Sequence, residues 1–240
     1  MQKVKADIIP FILITCLFFL WGFAHNLDPI LIPHLKKSFT LTTTQSTLVD
    51  SAVFIAYFFM ALPAGMVMKR LGYKTGIIIG LLLFAVGAFL FVPAANNQSY
   101  LYFLFASFVI ASGLTILETA ANPYAAILGP AKTSGFRLNL AASFNGFSAM
   151  VAPIIGTIFI LSGVEHTGAE LAAMPEAEKF IYLNSEASAV KIPYIILGVV
   201  LILVAVLFYF YNFPEVKDDS RVARPIEFFK SFRHSHLTWA

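Results

Sequence analysis

Long runs without a charged residue constrain this chain most. The stretches from Ile77 to Val92 and from Ile195 to Phe210 hold only apolar residues and glycine. A helix that spans a bilayer needs roughly 20 mostly apolar residues. The whole chain is 59% hydrophobic and 12% charged, whereas a soluble domain is about 25% charged. Too few charges remain to cover a water-facing surface, so the sequence predicts an integral membrane protein.

Six segments have the length and composition of membrane spans, and their apolar runs lack the period-two alternation of a barrel strand. We therefore predict an all-α membrane protein with six transmembrane helices. The predicted spans cover residues 8–33, 48–68, 76–95, 100–128, 138–162 and 192–212. Asp50 is expected at the start of the second span, where a carboxylate favours a helix N-terminus.

The basic residues between the spans predict the orientation, because cytoplasmic loops carry an excess of Lys and Arg. A cytoplasmic N-terminus leaves only four basic residues outside: Lys36, Lys37, Lys179 and Lys191. The other basic residues, such as Lys69, Arg70 and Arg137, then lie inside. Both termini are predicted to be cytoplasmic in a multi-pass inner (plasma) membrane protein, and the 163–191 connection is predicted to be external. Residues 1–212 form the bundle, and residues 213–240 are interpreted as a cytoplasmic linker.

The first and fourth predicted spans share a polar segment that ends in proline. His25 to Pro29 lies in one, and Glu118 to Pro123 lies in the other. Each would open a three-helix half. Proline-interrupted spans at corresponding positions indicate an inverted repeat and mark the binding site of a secondary transporter.

Acidic residues at membrane depth are the main candidates for function, since each costs roughly 2.5–3.5 kcal/mol to insert. At helical spacing Trp21, His25 and Asp28 share one face. Thr115, Glu118, Thr119 and Asn122 form a polar stripe in the fourth span, and the fifth adds Asn139 and Asn145. These groups are interpreted as the lining of a polar cavity.

The functional interpretation of these groups has alternatives. Carboxylates accept hydrogen bonds from sugar hydroxyls, and at low dielectric they can exchange a proton near neutral pH. Glu118 would otherwise only hold neighbouring helices together, and Asp28 would simply be solvated near the external end. His25 is either a proton relay or a packing residue, and Trp21 is placed to stack on a sugar ring.

Four segments resemble the fucose permease branch of the major facilitator superfamily, which comprises fucose–galactose–glucose:proton symporters. They are Phe18 to Phe23, Leu62 to Gly65, Leu117 to Tyr124 and Arg137 to Ala141. The resemblance implies alternating access, with import of a monosaccharide such as L-fucose coupled to inward proton movement and no other cofactor. It also implies essential carboxylates at Asp28 and Glu118, with Asn26, Asn139 and Asn145 as cavity neighbours.

Three positions depart from the family pattern. Pro29 stands where the first-helix aspartate is expected, so Asp28 would act from a position turned by about 100°. Ala142 replaces a glutamine, which removes a sugar contact. Lys69 replaces the acidic residue of the cytoplasmic signature between the second and third helices, so that residue's salt bridge cannot form in the same way.

The length of the chain bears on its function, because family members have about twelve helices in two six-helix halves. We therefore expect an N-terminal half, truncated or a fragment, that needs the C-terminal half for activity. The rival interpretations are a same-fold transporter of another solute and a non-transporting sensor or scaffold. An enzyme is disfavoured, because a six-helix protease would need a Gly-x-Ser-x-Gly arrangement that the sequence lacks. The expected partners are a small sugar and the lipid bilayer. The net charge of +3 is too small to indicate nucleic acid.

Overall fold

Helices make up nearly all of the structure, a computed structural model that describes residues 8–39, 41–159, 166, 168–211 and 213. None of these residues lies in a β-strand. The long helices are α1 (Ile8–Ser38), α2 (Thr43–Asn96), α3 (Tyr100–Ile127), α4 (Ser134–Phe159) and α7 (Lys191–Phe210). Two shorter helices, α5 (Gly168–Ala173) and α6 (Glu176–Ala189), precede α7, and a 3₁₀ turn, Ala131–Thr133, precedes α4. The prediction of an all-α fold is confirmed.

In the described part of the chain, five helices are long and apolar enough to cross a membrane. The predicted spans 48–68 and 76–95 both lie in α2, which has 54 residues. At 1.5 Å per residue that helix would be about 80 Å long if straight, far more than the roughly 30 Å of a hydrocarbon core. Gly72 interrupts it with φ 81° and ψ 168°, a region open to glycine alone at little cost. We call residues 43–71 the first arm of α2 and residues 73–96 the second arm.

Helix α2 begins before the predicted span, at a capping box. The Thr42 hydroxyl accepts from the Gln45 backbone N–H at 3.3 Å, and the Gln45 side chain accepts from the Thr42 N–H at 2.9 Å. The two residues satisfy donors that a helix N-terminus otherwise leaves unpaired. The expectation that Asp50 starts this helix is therefore wrong, because Asp50 lies two turns inside it.

The prolines that follow the polar segments do not end their helices. Helix α1 contains Pro29 and Pro33, and α3 contains Pro123. A proline in a membrane helix is tolerated where neighbouring groups satisfy the freed carbonyl. His25 and Glu118 therefore lie on continuous helices.

Glycines allow the closest helix contacts. Helix α2 packs mainly against α3 and α7, and α1 packs mainly against α4. A Cβ on Gly113 of α3 would lie 2.5 Å from the Phe84 backbone nitrogen of α2. A Cβ on Gly22 of α1 would lie 2.4 Å from Ser148 Oγ of α4. A side chain at Gly113 would therefore push α2 and α3 apart, and one at Gly22 would displace the Ser148 and Asn145 side chains of α4.

Two basic side chains bind the C-terminal ends of helices. The Lys74 ammonium donates to the Tyr209 and Tyr211 carbonyls at the end of α7, at 3.0 and 2.9 Å. The buried Arg137 guanidinium of α4 donates to the Ala125 and Ala126 carbonyls in the last turn of α3. Cations at such ends satisfy unpaired carbonyls and complement the helix dipole.

Helix α6 is held against α1 by one histidine. His34 is buried, and its Nε2 donates to the Glu186 carbonyl at 2.7 Å. Its Nδ1 lies 3.3 Å from Glu186 Oε2. Both ring nitrogens therefore face the same residue of α6, which ties the connection before α7 to the end of α1.

Replacement of His34 by alanine is expected to release α6. Removing the ring leaves the Glu186 carbonyl without its donor, which costs about 1–3 kcal/mol for a buried acceptor, so trypsin should cut after Lys179 of α6 about tenfold faster. The rate of cleavage in solubilised protein measures this. The control is Asn184→Ala, an exposed position of the same helix away from the cleaved bond, and equal rates in wild type and His34→Ala would contradict the role of the contact.

Candidate functional site

The Glu118 carboxylate is the centre of the candidate site. Glu118 lies in the second half of α3 and is partly buried. The Tyr57 hydroxyl, on the first arm of α2, donates to Glu118 Oε1 at 2.5 Å. That distance lies in the range of charge-assisted O–H···O⁻ bonds. The acid of α3 is thus joined directly to another helix.

Helix α1 contributes a second titratable group to the site. His25 of α1 interacts electrostatically with Glu118, and His25 itself is exposed. Three helices therefore meet at this carboxylate: α1 through His25, α2 through Tyr57 and α3 through Glu118. The structure brings together two of the predicted site residues, His25 and Glu118.

The rest of the polar stripe of α3 bonds mainly to its own helix. Thr115 Oγ1 donates to the Ala111 carbonyl at 2.8 Å, and Thr119 Oγ1 donates to the Thr115 carbonyl at 2.7 Å. Asn122 Nδ2 donates to the Glu118 carbonyl at 3.0 Å. These bonds satisfy the small polar groups locally. Glu118 is the member of the stripe whose side chain reaches across to α2.

The other predicted residues of α1 lie near His25 along the helix. Asn26 is partly buried, and its Nδ2 donates to the Gly22 carbonyl at 2.7 Å. Trp21 packs against Phe18 with ring centroids 4.6 Å apart and remains partly exposed. Asp28 lies in α1, but its side chain is outside the described part of the structure. Its predicted role stays a prediction.

The two predicted asparagines of α4 differ in their contacts. Asn145 Nδ2 donates across to the Phe18 carbonyl of α1 at 3.3 Å, at the close approach formed by Gly22. Asn139 lies nearly two turns earlier and is exposed, and its carbonyl accepts from Ser143 Oγ at 2.8 Å. The structure therefore assigns Asn145 a helix–helix contact and leaves the Asn139 side chain at the surface.

The sequence analysis missed Tyr57. This tyrosine lies in the apolar stretch of the second predicted span, where an aromatic residue is ordinary lipid or helix packing. The sequence feature that could have indicated Tyr57 is its phenol at membrane depth, since a buried tyrosine hydroxyl usually has a hydrogen-bond partner. A candidate acid on a neighbouring helix was available as that partner.

The chemistry available here is proton and hydroxyl recognition. A carboxylate accepts hydrogen bonds from hydroxyl groups and takes up a proton, and an imidazole beside it can donate or accept one. In the described ranges, no group of three or more His, Cys, Asp or Glu side chains is arranged to hold a metal ion.

Long apolar helices around a shared carboxylate define a class, the polytopic helical membrane proteins with a polar site between helices. Residues 11–240 match the sequence profile of the Major Facilitator Superfamily. The chain belongs to this superfamily of membrane transporters. The predicted family is therefore confirmed.

Among curated relatives, the chain is 46% identical over 217 residues to the L-fucose-proton symporter of Escherichia coli (strain K12), covering 90% of this chain and 50% of that protein. It is 42% identical over 224 residues to the glucose/galactose transporter of Brucella abortus biovar 1 (strain 9-941), covering 93% of this chain and 51% of the relative. The chain spans about half the length of the curated relatives it matches. These relatives are transporters, not enzymes.

Solved structures show the same fold. A crystal structure of a Major Facilitator Superfamily transporter, FucP, in the outward conformation superposes with a TM-score of 0.82 at 41% identity. The superposition covers 96% of this chain and 57% of that one. A bacterial homologue of the human lysosomal transporter Spinster, at 17% identity and a TM-score of 0.70, shares the fold.

Proposed function

We propose that this chain is the N-terminal half of a secondary transporter that imports a monosaccharide together with a proton. The observation that carries the proposal is the partly buried Glu118 carboxylate, bonded by Tyr57 and faced by His25 from a third helix. Relatives named as fucose–proton and glucose/galactose transporters support the sugar as substrate class. The proton is the coupling ion, and no other cofactor is needed.

The proposed architecture has six spans, because the two arms of α2 separate at Gly72 and each is long enough to cross a bilayer. Both termini then lie on the cytoplasmic side of a bacterial inner membrane, as the loop charges favour. Residues 1–212 form the bundle. Residues 213–240, which are outside the described ranges except for Phe213, lead towards a C-terminal half that completes the cavity.

The proposed binding surface combines the residues already described. Glu118 accepts sugar hydroxyls and takes the proton, and Trp21 offers a ring face to the sugar. His25 and Asn122 adjoin Glu118, and Asn26 of α1 with Asn145 and Asn139 of α4 extends the surface. Asp28 serves proton-linked gating. Exposure of Trp21, His25 and Asn139 in this half supports a cavity that the second half closes.

Uptake by proteoliposomes that contain the full-length gene product tests the proposal. Labelled L-fucose, D-glucose and D-galactose are offered separately, with and without an inward proton gradient. We expect accumulation of at least one sugar, abolished by a protonophore, and alkalinisation of the outer medium when that sugar is added. Sugar binding without gradient-driven accumulation would show a sensor and contradict the proposed transport. Transport of a non-sugar solute alone would contradict the proposed substrate class.

A further inference from the structure

The Tyr57 hydroxyl joins the Glu118 carboxylate of α3 to the first arm of α2 by a hydrogen bond of 2.5 Å. Tyr57 is partly buried on the first arm of α2, and Glu118 is partly buried on α3. The bond therefore links two helices at the one acid that the proposed function assigns to proton coupling.

The hydrogen bond between Tyr57 and Glu118 depends on whether the Glu118 carboxylate is protonated. An ionised carboxylate only accepts hydrogen bonds, so the phenol must donate to it. Once Glu118 is protonated it carries its own O–H, and the favourable charge-assisted bond from the phenol is lost. Tyr57 therefore stabilises the ionised form of Glu118 over the protonated form.

The other groups around Glu118 include one more titratable side chain within the described residues. His25 faces it from α1. On its own helix, Thr119 and Asn122 are uncharged and bonded to backbone carbonyls. Helix α4 offers the uncharged Asn145, while its Arg137 is committed to the end of α3. Loss of the Tyr57 hydroxyl leaves all of these groups in place, so a change in the proton affinity of Glu118 is attributed to the lost hydrogen bond.

We propose that Tyr57 is a positioning residue that fixes the Glu118 carboxylate between α2 and α3 and sets the pH at which the carrier releases its proton. This inference rests on the proposed function for its role in transport. In each cycle a proton from the outer medium binds a Glu118 oxygen and leaves to the cytoplasm, while Tyr57 keeps its own proton throughout. Proton uptake loosens the link between the first arm of α2 and α3, and proton release restores it.

Sugar uptake against external pH tests the proposal in the full-length gene product. Tyr57→Phe removes the donor and keeps the ring. A hydrogen bond to a charged group is worth about 1.5–3 kcal/mol, which corresponds to about one to two pH units. The alkaline limb of the uptake profile should therefore move to higher pH by about one unit or more. The control is Tyr102→Phe, a half-exposed tyrosine of the same helix as Glu118, and its profile should superpose on that of wild type.

Infrared difference spectroscopy gives a readout that does not require transport. The protonated-carboxyl band that Glu118→Gln removes is titrated in wild type and Tyr57→Phe. A higher midpoint in Tyr57→Phe supports the proposal, and equal midpoints overturn it. If wild type moves no sugar, the proposed function fails while the band still tests Tyr57.

An isosteric substitution covers the case in which Tyr57→Phe does not fold. A fluorotyrosine placed at position 57 has a more acidic phenol and donates a stronger hydrogen bond. The titration midpoint should then move to lower pH than in wild type. An unmoved midpoint in the fluorotyrosine protein overturns the proposal as well.

Discussion

Replacement of Glu118 by glutamine is expected to abolish proton-driven sugar accumulation by the full-length gene product. Glutamine keeps the size of the side chain but cannot be ionised, so it neither takes up the coupling proton nor accepts the charge-assisted bond from Tyr57. If Glu118 also accepts a sugar hydroxyl, loss of a hydrogen bond to its charge, worth about 1.5–3 kcal/mol, lowers the affinity for the sugar roughly tenfold or more. With coupling also lost, the accumulation ratio should fall to that of empty vesicles.

Two further measurements define what that result means. Glu178→Gln, an exposed acid of α6, should accumulate sugar as wild type does. Exchange of labelled for unlabelled sugar, without a gradient, then separates the roles of Glu118. If Glu118→Gln still exchanges sugar, the Glu118 side chain acts in proton coupling. If exchange is lost, the side chain is needed for sugar binding. Normal accumulation by Glu118→Gln would contradict the proposed function.

Replacement of Arg137 by leucine is expected to give the largest loss of stability. The guanidinium is buried and donates to four acceptors at the junction of α3 and α4. They are the Ala125, Ala126 and Pro130 carbonyls and the Thr133 hydroxyl. Leucine fills the space but leaves the Ala125 and Ala126 carbonyls without this donor, whereas the Pro130 carbonyl still accepts from the Thr133 N–H and hydroxyl. Ala125 is buried and Ala126 partly buried, and an unsatisfied buried acceptor costs about 1–3 kcal/mol, so the free energy of unfolding should fall by about 2 kcal/mol or more.

Denaturant unfolding in detergent micelles, followed by fluorescence, measures this loss. The control is Arg70→Leu, which removes an exposed arginine from α2 and should change stability little. Arg137→Lys should recover only part of the loss, since an ammonium cannot reproduce the planar fork of the guanidinium. Equal stability of Arg137→Leu and Arg70→Leu would show that the junction does not depend on these bonds.

The helices could be predicted from the sequence because their apolar content is set locally. The bounds of α3 and α7 lie within two residues of the predicted spans 100–128 and 192–212. The start of α2 differs from the expected one, because the helix begins at the capping box of Thr42 and Gln45 and not at Asp50. The gap of residues 69–75 expected between spans two and three is reduced in the structure to the single non-helical residue Gly72. Whether a glycine turns a chain or merely bends it depends on its backbone angles, and the identity of Gly72 does not reveal them.

The site could be predicted in part, because the cost of a buried charge makes Glu118 conspicuous on its own. Its partner could not be predicted in the same way. Helical spacing shows which residues share a face of one helix, but the pairing of Tyr57 with Glu118 depends on how α2 packs on α3. Arg137 shows the same limit. Its charge predicted that it lies on the cytoplasmic side, but its hydrogen bonds to α3 could be seen only once the packing of α3 and α4 was known.

The local bonding of the polar stripe has a consequence for how long a sugar stays. Thr115 is buried, and Thr119 has already given its hydroxyl hydrogen to its own helix, so Thr119 offers an arriving hydroxyl only a lone pair. Strong anchoring is then concentrated at Glu118. A ligand held by one strong contact among weaker ones has a short dwell time, and a carrier, unlike a receptor, gains throughput from rapid release.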